Sequence, residues 1–229
     1  MFDTLLPYLL AGISVGGQYA LIAVGYTLVY GILRLINFAH GDIFTAAGFF
    51  MIYLTASLPI GLSIPLVIIL TVVLGFTVER VAYKPLRSAP RMSIMISAIG
   101  VSYLLQNLMW YLTGGLARQY PVLPGLGESI RIGSAMAAIG SMLYFTNYTA
   151  VTPTIGAMPG LKAFVAAVFG GIGSIPGAMI GALIIGICEN LIKAAGLTMF
   201  SDAFTFALLI VVLLVRPTGL FGEKTTEKV

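Results

Sequence analysis

The sequence predicts an all-α fold, a polytopic transmembrane helix bundle of about seven hydrophobic spans, one of them broken by glycine and proline. Three observations predict it. The chain runs thirty residues without a charge from Thr4 to Leu33, and comparable runs recur at Ile43–Val78, Met92–Ala117, Ile132–Leu161 and Ala163–Cys188. Composition is 59% hydrophobic and only 9% charged, with a mean hydropathy of +1.04, far from the quarter or so of charged residues usual in soluble domains. Glycine, proline and charge punctuate the apolar runs at intervals that suit helices crossing a bilayer.

Thr4–Leu33 is longer than one straight span needs and holds Gly12, Gly16, Gly17, Gly25 and Gly31, so one long, tilted or locally broken span is expected. It lacks a basic leader and is too long for a signal-peptide core, which makes it a retained span in a chain that begins at or near Met1. Ile43–Val78 exceeds one helix and carries Pro59, Gly61 and Pro65 near its middle; two helices joined near Ser57–Ser63 fit. The segment Glu79–Arg91 has four basic residues against one acid and reads as a cytoplasmic loop by the positive-inside rule. Counting outward from it puts the N-terminus outside, Arg34 inside, and Gly114–Gly133 outside as a polar loop or surface hairpin. Single crossings by Ala135–Tyr148, Phe164–Ile187 and Ala203–Val215 then leave the tail, with Arg216, Lys224 and Lys228, inside. The whole of 1–229 reads as one membrane-spanning domain.

Polar residues inside such a chain are the candidate functional ones. Ile36-Asn37-Phe38-Ala39-His40-Gly41-Asp42 brings an amide, an imidazole and a carboxylate to the junction of two apolar runs. Asn37 and Asp42 suit the capping of helix ends at the membrane surface; a functional polar patch with His40 is the alternative. Lys162 stands between apolar neighbours, where its stem can snorkel to the interface or its ammonium can meet an anion. Glu189 and Lys193 have the i, i+4 spacing of a helix ion pair. Gly170–Gly177, with Gly173 and Pro176, breaks the sixth segment, either as a kink or as a pathway element. Gln18 in the first span and Gln106 with Asn107 in the fourth supply hydrogen-bonding groups for packing or for a path. The candidates for a substrate path are therefore Gln18, Asn37, His40, Asp42, Asn107, Lys162, Gly173, Pro176 and Glu189. Small residues every fourth place, at Gly12, Gly16 and Ala20 and at Gly173, Gly177 and Gly181, promise close helix contacts.

Several classes are disfavoured. A net charge of +4 from twelve basic and eight acidic residues describes loops and orientation, not a nucleic-acid surface. One cysteine, Cys188, allows no intrachain disulfide. One histidine, no zinc-protease or nucleophile-elbow motif and no phosphate loop leave no catalytic or metal-ligating constellation and no route to ATP in this chain.

The motifs carry further than composition. Leu35-Ile36-Asn37-Phe38-Ala39-His40-Gly41-Asp42, Glu79 to Arg87, Ile99-Gly100-Val101-Ser102, Gly160 to Phe164, Gly170 to Met179 and Arg216-Pro217-Thr218-Gly219-Leu220-Phe221-Gly222 together resemble the membrane permease subunits of branched-chain amino-acid ABC transporters, specifically the LivH-type subunit. The resemblance implies a multi-pass protein of the bacterial inner membrane that imports leucine, isoleucine or valine. It implies as partners a second permease subunit, two ATPase subunits that hold the ATP, and a periplasmic amino-acid-binding protein. One departure stands out. Family members continue after Gly127–Gly133 with another helix and the cytoplasmic coupling loop on which the ATPase docks, whereas here Ser134 leads straight to Ala135. The chain thus looks like a permease with an internal deletion. The alternatives are a transport-defective remnant, a urea or short-amide importer subunit, and an ion-coupled secondary carrier.

Overall fold

The computed structural model describes residues 2–33, 37–86, 88–121, 150–216 and 218–222. Among them run helices α1 (Phe2–Leu33), α2 (His40–Thr55), α3 (Ile60–Val78), α4 (Arg91–Thr113), α5 (Ala157–Gly170), α6 (Ile175–Ala194) and α7 (Ser201–Val215). The all-α expectation holds, with one short pairing of β1 (Arg118–Gln119) and β2 (Ala150–Val151) added. Among the described residues five stretches are long and apolar enough to cross a membrane: Leu5–Tyr30, Ile60–Leu86, Met92–Thr113, Ile175–Ala194 and Thr198–Val215. At 16 and 14 residues, α2 and α5 are shorter; at about 1.5 Å per residue they measure roughly 24 and 21 Å, less than a hydrocarbon core of about 30 Å. The chain divides into two compact units, Met1–Arg34 with Lys162–Val229, and Leu35–Leu161.

In the first unit α1 lies against α6 through glycine. A Cβ placed on Gly12 would come within 2.8 Å of Ile187 Cα, and one on Gly16 within 2.8 Å of Leu183 Cα, while Gly186 meets the Gly16 backbone from the other side. Without side chains there, the two backbones approach closely, which is how helices gain dispersion contacts where lipid removes the hydrophobic drive. The second small-residue series divides. Gly177 and Gly181 press on Gly170 and Ala166 of α5, but Gly173 has nothing near it and serves the turn instead.

That turn occupies the expected break. Gly171 and Gly173 adopt φ of 113° and 98°, conformations open to glycine and strained for other residues. Ser174 then caps α6 by accepting from Gly177 N at 3.2 Å, with Pro176 in the first turn, where its missing N–H costs nothing. Backbone from the tail fills the gap. Leu220 N donates to Phe169 O and Phe221 N to Gly170 O, both at 2.9 Å, so the last carbonyls of α5 find partners that a helix end otherwise lacks. The motif Arg216–Gly222 is in this way a C-terminal clip over the α5–α6 turn.

In the second unit α2 and α3 form a hairpin through 56–59, where Pro59 precedes the first turn of α3, close to the expected joint. The expected loop Glu79–Arg91 is largely helical instead. A wide π turn at Glu79–Tyr83 and a 3-10 turn at Lys84–Leu86 extend α3, because Val78, Ala82 and Tyr83 have an apolar core to bury against: Ala39, Ile43, Ala98 and Leu105, flanked by Phe38, Leu74 and Val101. At the other end α4 stops at Gly114, whose φ of 68° turns the chain and whose N–H reaches Trp110 O, a left-handed helix stop. The chain then enters β1, with Arg118 opposite Val151 and Gln119 opposite Ala150. The expected span Ala135–Tyr148 and most of the expected external loop lie outside the described residues.

Candidate functional site

Among the described residues each of the two units holds a buried polar cluster. In the first unit, Lys162 of α5 faces Glu189 of α6 across the hairpin. Lys162 Nζ lies 2.9 Å from Glu189 Oε1 and 2.6 Å from Asp202 Oδ1 at the start of α7. Lys193 Nζ approaches the same Glu189 Oε1 to 2.6 Å, and the Tyr19 hydroxyl of α1 donates to Oε2 at 3.0 Å. The side chains of Lys162 and Glu189 are 8% and 3% exposed. Lys162 therefore does not snorkel: the carboxylates of Glu189 and Asp202 and the ring of Tyr19, 5.9 Å from its nitrogen, hold it inside. The expected Glu189–Lys193 pair is present. Four α-helices meet in the cluster, and two cations balance two anions, which offsets the desolvation of each.

In the second unit, Asp42 does not cap a helix at the surface. The N-cap position of α2 belongs to Ala39, and no side chain caps it. Asp42 instead reaches across to α4, accepting from Ser102 Oγ at Oδ2 and from Gln106 Nε2 at Oδ1, the latter at 2.9 Å. Ser102 is the twelfth of the 23 residues of α4, so the carboxylate stands level with the middle of a spanning helix, about 17 Å from either end. Its residue is 2% exposed. The local fold that puts it there is an interrupted path. Asn37 Oδ1 accepts from Ala39 N and from the Tyr83 hydroxyl, closing a tight turn before α2. On α2, Gly41 lies against Gly156 O and the Gly160 Cα, too near for a Cβ, and Gly156 N donates to Thr45 Oγ1 at 2.9 Å. The N-terminal turns of the short helices α2 and α5 thus meet beside Asp42, the discontinuous-helix arrangement that membrane transporters use at mid-depth.

The other sequence candidates fall differently. His40 is buried as the first residue of α2, two residues from Asp42. Gln18 is buried on α1 beside Tyr19, and its Oε1 has no hydrogen-bond partner among the described residues. Asn107 is exposed and returns its amide to Tyr103 O of its own helix. Gly173 and Pro176 are exposed residues of the α5–α6 turn. Sequence reasoning passed over Ser102 and Asp202 as site residues, although Asp202 alone in an apolar run needs a counter-charge and Ser102 stands one helical turn from Gln106. Beyond the spans, burial pushes the phenol of Tyr120 well above the usual tyrosine range. Among the described residues no group of histidine, cysteine and carboxylate side chains is placed to hold a metal ion.

Helices long enough to span, with a balanced ion cluster and an unbalanced carboxylate inside them, define an integral membrane protein with intramembrane polar sites. Comparison with known proteins gives the family. The model of the branched-chain amino acid transport system permease component matches residues 8–124 and 129–213, and the chain belongs to that family. It is 36% identical over 304 residues to the high-affinity branched-chain amino acid transport system permease protein BraD of Pseudomonas aeruginosa, covering 98% of each chain. It is 36% identical over 294 residues to the permease protein LivH of Salmonella typhimurium and 35% to that of Escherichia coli K12, in both cases over 95% of this chain and 96% of the relative. The 304 aligned positions exceed the 229 residues of this chain by 75, so at least that many positions of BraD face a gap here. No solved structure matches.

Proposed function

We propose that this chain is the membrane-embedded permease subunit of an ABC importer that carries branched-chain amino acids, leucine, isoleucine and valine, across the bacterial inner membrane. The observation that carries the proposal is identity of 35–36% along almost the whole chain to relatives named as permeases of that transport. The geometry supports a translocating role. Ser102 and Gln106 are partly exposed at the middle of α4, where polar side chains facing lipid would be costly; a polar path or a partner subunit suits that face better. In this reading a second permease subunit completes the path, two ATPase subunits supply the energy from ATP, and a periplasmic binding protein delivers the substrate. Asn37, His40 and Asp42 line the path, and Lys162 with Glu189 holds together the helices of its own unit.

A second reading has its own support. The 75-position excess in the alignment and the interruption of the family match at 125–128 favour a chain without the coupling segment, which inserts and pairs with its sister subunit but cannot be driven. Co-purification with the neighbouring permease and ATPase subunits, followed by leucine-stimulated ATP hydrolysis in lipid, separates the two. A stimulated complex supports the importer. Permease pairing without ATPase binding, repaired by inserting the segment, supports the remnant.

A further inference from the structure

Asp42 differs from every other buried ion in the described residues. Its carboxylate accepts two hydrogen bonds, from Ser102 and Gln106, both from neutral groups, and among the described residues no lysine or arginine forms an ion pair with it. A carboxylate offers about four acceptor positions, so two are filled and two are left. Its place in the first turn of α2 gives it the positive end of a helix dipole, worth about half a charge, and among the described residues no lysine or arginine matches the rest at mid-depth. The bundle can match charges when folding alone is at stake, as Glu189 with its two lysines demonstrates. An unmatched carboxylate at mid-depth, flanked by partly exposed hydroxyl and amide groups, is complementary to a small desolvated cation that arrives and leaves.

We infer that Asp42, with Ser102 and Gln106, is the subsite for the ammonium group of the transported amino acid, an inference that rests on the importer reading. The ammonium has three donors for the two remaining acceptor positions of Asp42 and the Ser102 oxygen, and a charge-assisted bond of this kind is strong when water is excluded. The subsite recognises the cationic end common to the three substrates, and their branched side chains are left to apolar surroundings.

The test uses the full-length chain in lipid nanodiscs with its partner permease subunit, and competition against radiolabelled leucine. One competitor is 3-methylbutylamine, which keeps the ammonium and side chain of leucine without its carboxylate. The other is 4-methyl-2-oxopentanoate, which keeps the carboxylate without the ammonium. The amine should compete and the oxo acid should not. Asp42→Asn should weaken leucine binding about tenfold or more and abolish competition by the amine. Ser102→Ala, which keeps the carboxylate, should weaken it less and guards against a poorly folded Asp42→Asn. Leucine binding by folded Asp42→Asn within about twofold of wild type, or competition by the oxo acid equal to that of the amine, overturns the subsite and leaves the importer reading standing. Absence of saturable leucine binding to the wild-type assembly overturns both.

Discussion

In the unit built on α1, α6 and α7, Lys162, Lys193, Glu189 and Asp202 neutralise one another within 2.9 Å. In the unit built on α2, α3 and α4, Asp42 is as deeply buried but, among the described residues, takes its hydrogen bonds from a serine and a glutamine and no lysine or arginine pairs with it. Both arrangements carry charge into an apolar interior, where an ion without compensation is expensive. What separates them is whether compensation comes from within the chain. A cluster that is complete in itself holds helices together whatever passes through the protein, whereas an incomplete one depends on what arrives. Stability and function are therefore expected to divide between the two.

The largest effect should come from Glu189. Replacing it by Gln leaves the buried Lys162 and the half-buried Lys193 around a neutral amide, with Asp202 to answer two cations, and should destabilise the fold by about 3–5 kcal/mol, read as loss of thermal stability in detergent. Replacing Lys162 and Glu189 together by Met should cost less than the two single changes added, since no lone charge of that pair remains; an additive loss would mean that the two do not act as a pair. Next is Gly16→Leu, which drives a side chain into the Leu183 backbone and should cost about 1–3 kcal/mol or separate α1 from α6. Smaller again is Ser174→Ala, about 1 kcal/mol for a lost N-cap, with Pro176→Ala smaller still because Gly171 and Gly173 set the turn. Unfolding midpoints rank these directly, and a Pro176→Ala effect larger than that of Ser174→Ala would make the proline the hinge of the hairpin.

Much of the fold is legible in the sequence because charge gaps and glycine-proline punctuation are local signals. The break at Gly170–Gly177, the joint between α2 and α3 and the Glu189–Lys193 pair all follow from residues a few places apart. What the sequence hides depends on distant partners. Lys162 looks like a snorkelling lysine until Glu189, 27 residues on, is opposite it. Asp42 looks like a surface cap because nothing near it in sequence says that α2 begins at mid-depth, facing Ser102 sixty residues away. The helical turns over Glu79–Leu86 are hidden for the opposite reason: basic residues and a proline mark a loop, and packing of Val78, Ala82 and Tyr83 overrides them. The β1–β2 pairing has no sequence signal in two-residue strands.

The division between the clusters is tested most directly by thermal unfolding of Glu189→Gln and Asp42→Asn side by side, in the same lipid and with the wild type as reference. Glu189→Gln should lower the midpoint by about 6 °C or more, and Asp42→Asn, which keeps its shape and loses an unmatched charge, should stay within about 2 °C of wild type or rise. Equal losses in the two variants would contradict the account, because Asp42 would then hold the fold as Glu189 does.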